Sequence, residues 1–243
     1  IMVTHHPILG WPIVTAENCF EVIRESGIRP WSSVTDPVPL ERYLQNATKE
    51  QITDSQKYAP KVLAVTYQNP FHDSVFNAFR VEFKTYALVF ALIDGTYVAV
   101  TAEWKHGNDR ITIVPVCGIP GKEESHLETL SEKVTATAYR EWEEETGLLL
   151  ESVEMLSSSS GLYFAVRNSD NRYFPFLGKV KPFDKRGVTK LDGAEYLKMV
   201  LFPLNEWIKL IEDNALFDKN PDFGLEDCAR SATYSALRRM GLL

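Results

Sequence analysis

From Lys61 onward, apolar and β-branched residues recur in short runs broken by polar turns. Strands are predicted at 61–67, 74–83, 85–93, 96–104 and 111–117, all rich in Val, Ile, Phe, Tyr and Thr. Asp94-Gly95 between two of these runs is a hairpin signal, and His106-Gly107-Asn108-Asp109 marks the next turn. Upstream, 17–27 and 36–47 read as short helices, the second with Asp36 as cap and Pro37 just inside it. A long helical period runs from about Glu128 to Thr146, and Gly147 follows as a C-cap glycine. Further strands are expected at about 150–156, 161–167, 173–181 and 195–202. An amphipathic helix over 204–213 and a last helix over 225–240, stopped by Gly241, complete the chain. The order describes a mixed α/β fold, mostly antiparallel strands with a few helices on the sheet faces. It is not a doubly wound nucleotide fold. Ser157 to Ser160 is the single low-complexity tract and reads as a loop.

Composition adds bounds. The 243 residues suit one sizeable domain, or one with a smaller appendage, and 44% hydrophobic with 24% charged residues is a globular balance. The net charge of −7 disfavours a general nucleic-acid backbone binder, which needs a basic stripe. It leaves small anionic substrates open, since metal ions on carboxylates can hold them. Cys19, Cys117 and Cys228 are few, distant and odd in number, so neither a disulfide framework nor a zinc knuckle is indicated. A reducing interior, the cytoplasm, is the expectation. No apolar run approaches a membrane span, and residues 1–9 lack the basic lead of a signal peptide. His5-His6 reads as disordered, and His72 and His106 as lone loop histidines.

The informative segment is Arg140-Glu141-Trp142-Glu143-Glu144-Glu145-Thr146-Gly147-Leu148. Like charges three and four residues apart repel on a helix, and the dipole disfavours negative charge near its C-terminal end. At about 100° per residue, Glu141, Glu144 and Glu145 share one face and Glu143 points elsewhere. Three carboxylates on one face form a hard oxygen site suited to Mg²⁺ or Mn²⁺. Trp142 shares a stripe with Val134 and Ala138, the face expected on the sheet. Arg140, four residues before Glu144, can hold that side chain by a charge-assisted bond.

This pattern resembles the Nudix hydrolase box. Glu132 precedes Arg140 by the required seven residues, and Arg140, Glu141, Trp142, Glu144, Glu145, Gly147 and Leu148 all match. One position departs: His126 stands where the box has glycine, and the nearest glycines are Gly118 and Gly121, so the loop before the helix is lengthened. The surroundings are most similar to the subfamily that hydrolyses ADP-ribose and other nucleoside diphosphate sugars. There, Ile113-Val114-Pro115-Val116-Cys117-Gly118 occupies the place of the strand and turn leading into the box, and Cys117 matches a residue whose carbonyl, not its side chain, serves a metal. Leu191-Asp192-Gly193-Ala194-Glu195-Tyr196-Leu197 sits where the subfamily carries an acid before a late strand; Glu195 is the first choice for it and Asp192 the second.

The resemblance implies an α/β/α sandwich with a mixed sheet over 61–243, preceded by a helical extension over 1–60. Residues 61–92 would be a β subdomain used in a homodimer. It implies Mg²⁺-dependent cleavage of a diphosphate bond in a small nucleotide, giving a nucleoside monophosphate and a sugar phosphate. Glu141, Glu144, Glu145 and Cys117 would serve the metal. Glu195 or Glu144 would accept the proton of the attacking water, with Arg140 in support. Phe71, Tyr86, Tyr163, Phe164 and Phe174 are candidates to stack on a base, although strand aromatics are usually core. Two other readings stay open: hydrolysis of another nucleotide, such as NADH or a dinucleoside polyphosphate, and a nucleotide-binding module without turnover.

Overall fold

The computed structural model describes residues 3–31, 38, 40–56, 60–105, 107–164, 169–191 and 196–243. In chain order the elements are β1 (Thr4–His5), β2 (Pro12–Ile13), α1 (Cys19–Glu25), α2 (Leu40–Asn46), α3 (Lys49–Gln56), β3 (Lys61–Gln68), β4 (Val75–Glu82), β5 (Tyr86–Ile93), β6 (Tyr97–Lys105) and β7 (Arg110–Gly118). Then follow α4 (Leu130–Thr146), β8 (Leu150–Met155), β9 (Leu162–Phe164), β10 (Ser169–Val180), β11 (Leu197–Pro203), α5 (Leu204–Glu212), α6 (Asn214–Asp218), β12 (Phe223–Leu225) and α7 (Asp227–Met240). Among the described residues these form two compact units, one from Ile1–Trp31, Tyr86–Ser160 and Phe174–Leu243, the other from Ser32–Thr85 and Gly161–Tyr173.

The larger unit is a mixed sheet between helices. Its strands run β1-β2-β11-β6-β7-β5, with β12 also on β7 and β8 antiparallel to the end of β10. Most pairs are antiparallel, but β2 joins β11 and β12 joins β7 in parallel. β5 explains why its sequence reads as a continuous apolar run rather than an alternation. Ala87, Val89, Ala91 and Ile93 face the core beneath Val134, Ala138 and Trp142 of α4, whereas Leu88 and Phe90 are buried on the opposite face, where α7 packs. The Asp94-Gly95 hairpin forms as expected: Asp94 and Gly95 both take positive φ, at 50° and 66°, and Ile93 pairs with Tyr97.

The N-terminal segment corrects one expectation. His6 is not disordered. It is 3% exposed, and its Nε2 lies 2.9 Å from Oδ2 of Asp94. Its Nδ1 accepts from the amides of Ile8 and Leu9, so Nε2 carries the proton and donates to Asp94. Leu9, Trp11, Val14, Phe20 and Ile23 are buried in the larger unit, so residues up to Trp31 group with the main sheet and not with 32–60. Arg24 of α1 makes a two-pronged bond to Asp222 at 2.6 and 2.9 Å and stands over the Phe223 ring. The sequence hid this because the contacts span 198 positions.

The smaller unit holds α2, α3 and an antiparallel β3–β4 hairpin, with Lys61 opposite Glu82 and Gln68 opposite Val75. β4 pairs in parallel with Ser169 and Asp170, and β9 pairs with Asn171 to Tyr173. Val62, Phe76 and Phe79 are exposed. α3 and α6 were not expected from the pattern; Lys49–Gln56 is too polar to show a helical stripe. The expected Asp36-Pro37 cap, and most of the expected strand beyond Phe164, lie outside the described residues. Among the described residues no helix is long and apolar enough to cross a membrane.

Candidate active site

α4 carries the site, and its ends are fixed by local chemistry. Thr129 is the N-cap: its Oγ1 accepts from the Glu132 amide, and Oε2 of Glu132 accepts from the Thr129 amide at 2.8 Å. Glu132, the first glutamate of the box-like pattern, therefore serves here as an exposed capping residue. At the other end Gly147 takes φ 69° and its amide donates to the Glu143 carbonyl. Between them Val134, Ala138 and Trp142 are fully buried against the sheet. That stripe sets the helix rotation and leaves Glu141, Glu144 and Glu145 on the adjoining face, with Glu143 exposed.

Arg140 organises the carboxylates. Its Nη1 lies 2.8 Å from Oε1 of Glu141 and 2.8 Å from Oε2 of Glu144. Its Nε donates to Oε1 of Glu124 at 2.7 Å, and Nη2 donates to the Ile119 carbonyl at 3.0 Å. Glu124 is a participant the sequence reading missed. It is 3% exposed, and its other oxygen accepts from the Gly121 amide at 2.7 Å. Nothing in the run Glu123-Glu124 tells the buried acid from its exposed neighbour, because the distinction is made by the fold of 119–126 around Arg140. The lengthened loop is thus tied to the helix, and His126 stands exposed beyond the tie.

The electrostatics follow from this crowding. Burial pulls the Arg140 pKa down, but the Glu124, Glu141 and Glu144 carboxylates outweigh it and hold the guanidinium charged. Burial pushes the Glu124 carboxyl up, and the bonds from Arg140 and Gly121 more than reverse this, leaving it below the ordinary value.

Gly118, at the end of β7, leaves the space that Glu141 fills. A Cβ there would sit 2.0 Å from the Glu141 carboxylate carbon. Its neighbour Cys117 pairs with Leu88 of β5, and burial pushes its thiol well up, opposed by Lys105 and reinforced by Glu226, Glu145 and Glu103. The structure thus brings Arg140, Glu141 and Glu144 into direct contact and sets Glu145 within electrostatic reach of Cys117. Glu145 is 7% exposed, the most buried of the three glutamates. Glu141 and Glu144 are turned onto Arg140, and no three His, Cys, Asp or Glu groups converge as a metal cage among the described residues. Asp192 and Glu195, expected as the late-loop acid, lie outside the described residues, as does His106.

The aromatic candidates separate by burial. Phe174 is core, as strand aromatics usually are, and Phe71 is 86% exposed. Tyr163 of the smaller unit is half exposed, with the Arg172 guanidinium 5.5 Å from its ring centroid.

No family model and no curated protein matches the sequence. Solved structures do match: one is the crystal structure of an ADP compounds hydrolase, with a TM-score of 0.56 at 19% identity over 76% of this chain and 89% of that one. At that identity the likeness establishes the mixed α/β fold that carries the glutamate helix.

Proposed function

We propose that the chain is a divalent-metal-dependent hydrolase that cleaves the diphosphate bond of a small nucleotide, with ADP-ribose-like nucleoside diphosphate sugars as the substrate class. The observation that carries this reading is the Arg140 cluster. One guanidinium collects Glu124, Glu141 and Glu144, with Glu145 one residue further along the same helix face. Carboxylates crowded along one helix face repel one another, and a bound cation would lower that repulsion. The donor set is all oxygen, as Mg²⁺ or Mn²⁺ prefers, and the missing Cβ at Gly118 gives Glu141 its place at the strand end. The fold shared with an ADP compounds hydrolase supports the substrate class.

In this reading Glu141 and Glu145 would hold a divalent ion, with the Cys117 carbonyl at the neighbouring strand end, and such an ion would supply charge neutralisation for the diphosphate and acidify the attacking water. Glu144 is the most exposed of the three, its side chain 31% accessible, and is held at one oxygen by Arg140. Its second oxygen accepts the proton of the attacking water, a role Glu195 shares as an alternative. Arg140 keeps Glu141 and Glu144 from swinging into solvent, and Glu124 in turn keeps Arg140 on the helix. A homodimer and a cytoplasmic location belong to the same proposal, and sedimentation of the purified chain tests the first.

A second reading, a nucleotide-binding module without turnover, draws on Glu141 and Glu144 both being turned onto Arg140, with no three potential ligands converging among the described residues. Incubation with Mg²⁺ and a panel of ADP-ribose, other nucleotide sugars, NADH and nucleoside triphosphates separates the two. Nucleoside monophosphate release from a nucleotide sugar supports the hydrolase. Binding without product from any member overturns it.

A further inference from the structure

We infer that the segment from Lys181 to Leu191 is a cap, supplied from outside the helix, for the C-terminal end of α4, and that Gly187 and Lys190 are positioning residues for Glu144 and Glu145. The last turn of any α-helix has carbonyls without intrahelical donors. Here Gly147 supplies one donor, to Glu143. The Glu144 carbonyl receives its donor from a residue far along the chain, the Lys190 amide at 2.8 Å. Two more main-chain bonds run the same way: the Gly187 amide to the Gly147 carbonyl at 2.8 Å, and the Lys181 amide to the Leu149 carbonyl at 2.9 Å.

The two glycines set the register. They meet backbone to backbone, so a Cβ on Gly187 would lie 2.8 Å from the Gly147 oxygen, and one on Gly147 would lie 2.5 Å from the Gly187 oxygen. Main-chain atoms cannot move aside as the tip of a side chain can. Any larger residue at 187 therefore lifts the segment off the helix end.

Charge points to the same role. The last turn of α4 has no basic residue of its own, yet it carries Glu143, Glu144 and Glu145 at the negative end of the helix dipole. The segment brings Arg186 and Lys190 to that end: the Arg186 side chain lies 3.2 Å from where a Cβ on Gly147 would stand, with its guanidinium 6.0 Å from the buried Trp11 ring, and the Lys190 amide is on the Glu144 carbonyl. What the helix lacks in its own sequence, this segment provides. Without it the Glu144 carbonyl loses its donor, and the turn bearing two of the three metal-directed carboxylates frays. Partners of this kind, one layer behind metal ligands, typically control affinity by about 10–100-fold.

The test uses Gly187→Ala and Lys190→Pro, which removes the amide donor, against Lys190→Ala, which keeps it. Val188→Ala, at a position 84% exposed, is the control. Amide hydrogen exchange in metal-free protein, Mn²⁺ titration by calorimetry, and kcat and KM are read for each. Gly187→Ala and Lys190→Pro are expected to speed exchange at Glu144 to Leu148 at least tenfold over the rest of α4. Both should weaken Mn²⁺ binding roughly 10-fold or more and lower kcat with little change in KM. Lys190→Ala and the control should keep the exchange protection. Wild-type exchange in both disrupted variants overturns the inference, and so does a rise spread evenly over the whole larger unit. The metal half rests on the proposed function, whereas the exchange half does not. Local fraying in a protein whose wild type binds no Mn²⁺ would sink the hydrolase reading and leave the cap standing.

Discussion

Arg140 and Glu124 are joined by a 2.7 Å bond across sixteen positions, with the glutamate 3% exposed. The pair closes the long loop onto the helix and so decides where the guanidinium can reach. Glu124→Ala removes one of three carboxylates on Arg140 and leaves the Arg140 Nε and the Gly121 amide without their acceptor. The expected cost is about 1–3 kcal/mol, as for buried donors left unsatisfied. For a chain of this size that is a drop in Tm of roughly 2–12 °C. Thermal unfolding measures it, and a Tm within error of wild type would remove Glu124 from its role.

The same carboxyl gives a pH dependence with a definite sign. Glu124 lies below its ordinary value of 4.5 in the folded chain. A depressed carboxyl contributes stability that is fully present above its unfolded pKa and lost as pH falls through the folded one. Stability should therefore decline on acidification below about pH 4.5, and Glu124→Gln should flatten part of that decline. Denaturant unfolding at a series of pH values reads both curves; parallel curves would contradict the assignment.

Gly118→Ala places a methyl where the Glu141 side chain now lies. The carboxylate can swing aside, so the fold should survive with little change in Tm. Metal-dependent hydrolysis should fall on the order of 100-fold, as for a reacting group misplaced by about 1 Å. A variant that keeps full activity would show that Glu141 need not occupy that position.

Glu145→Gln keeps shape and removes charge from the most buried of the three glutamates. Mg²⁺-dependent turnover should be lost in folded protein, checked by circular dichroism beside the phosphate assay. Retained metal-dependent activity would refute its role as a ligand.

His6→Ala removes the donor to Asp94 and leaves the Ile8 and Leu9 amides without their acceptor. A loss of about 1–3 kcal/mol is expected for buried donors stranded in this way. Activity per folded molecule should not change, because His6 is not part of the Arg140 cluster. A fall in kcat at constant stability would place it in the site instead.

The sequence by itself determined the glutamate helix and the strands that carry it. Periodicity gave the apolar stripe of Val134, Ala138 and Trp142, Gly147 gave the stop, and the spacing of Glu141, Glu144 and Glu145 gave the shared face. Each of these is a local property, written within a few turns of helix or a few residues of strand. Asp94-Gly95 was legible for the same reason, since a tight turn is chosen by the residues inside it. Only the tertiary structure decided which acid holds Arg140, because Glu123 and Glu124 differ in burial and not in chemistry. It alone placed His6 in the core beside Asp94, joined Arg24 to Asp222, and brought Gly187 against Gly147. Those contacts join segments dozens to nearly two hundred residues apart, and no local pattern encodes a partner at that distance. The helix names the carboxylates, and the folding of distant loops onto its two ends sets how they are held.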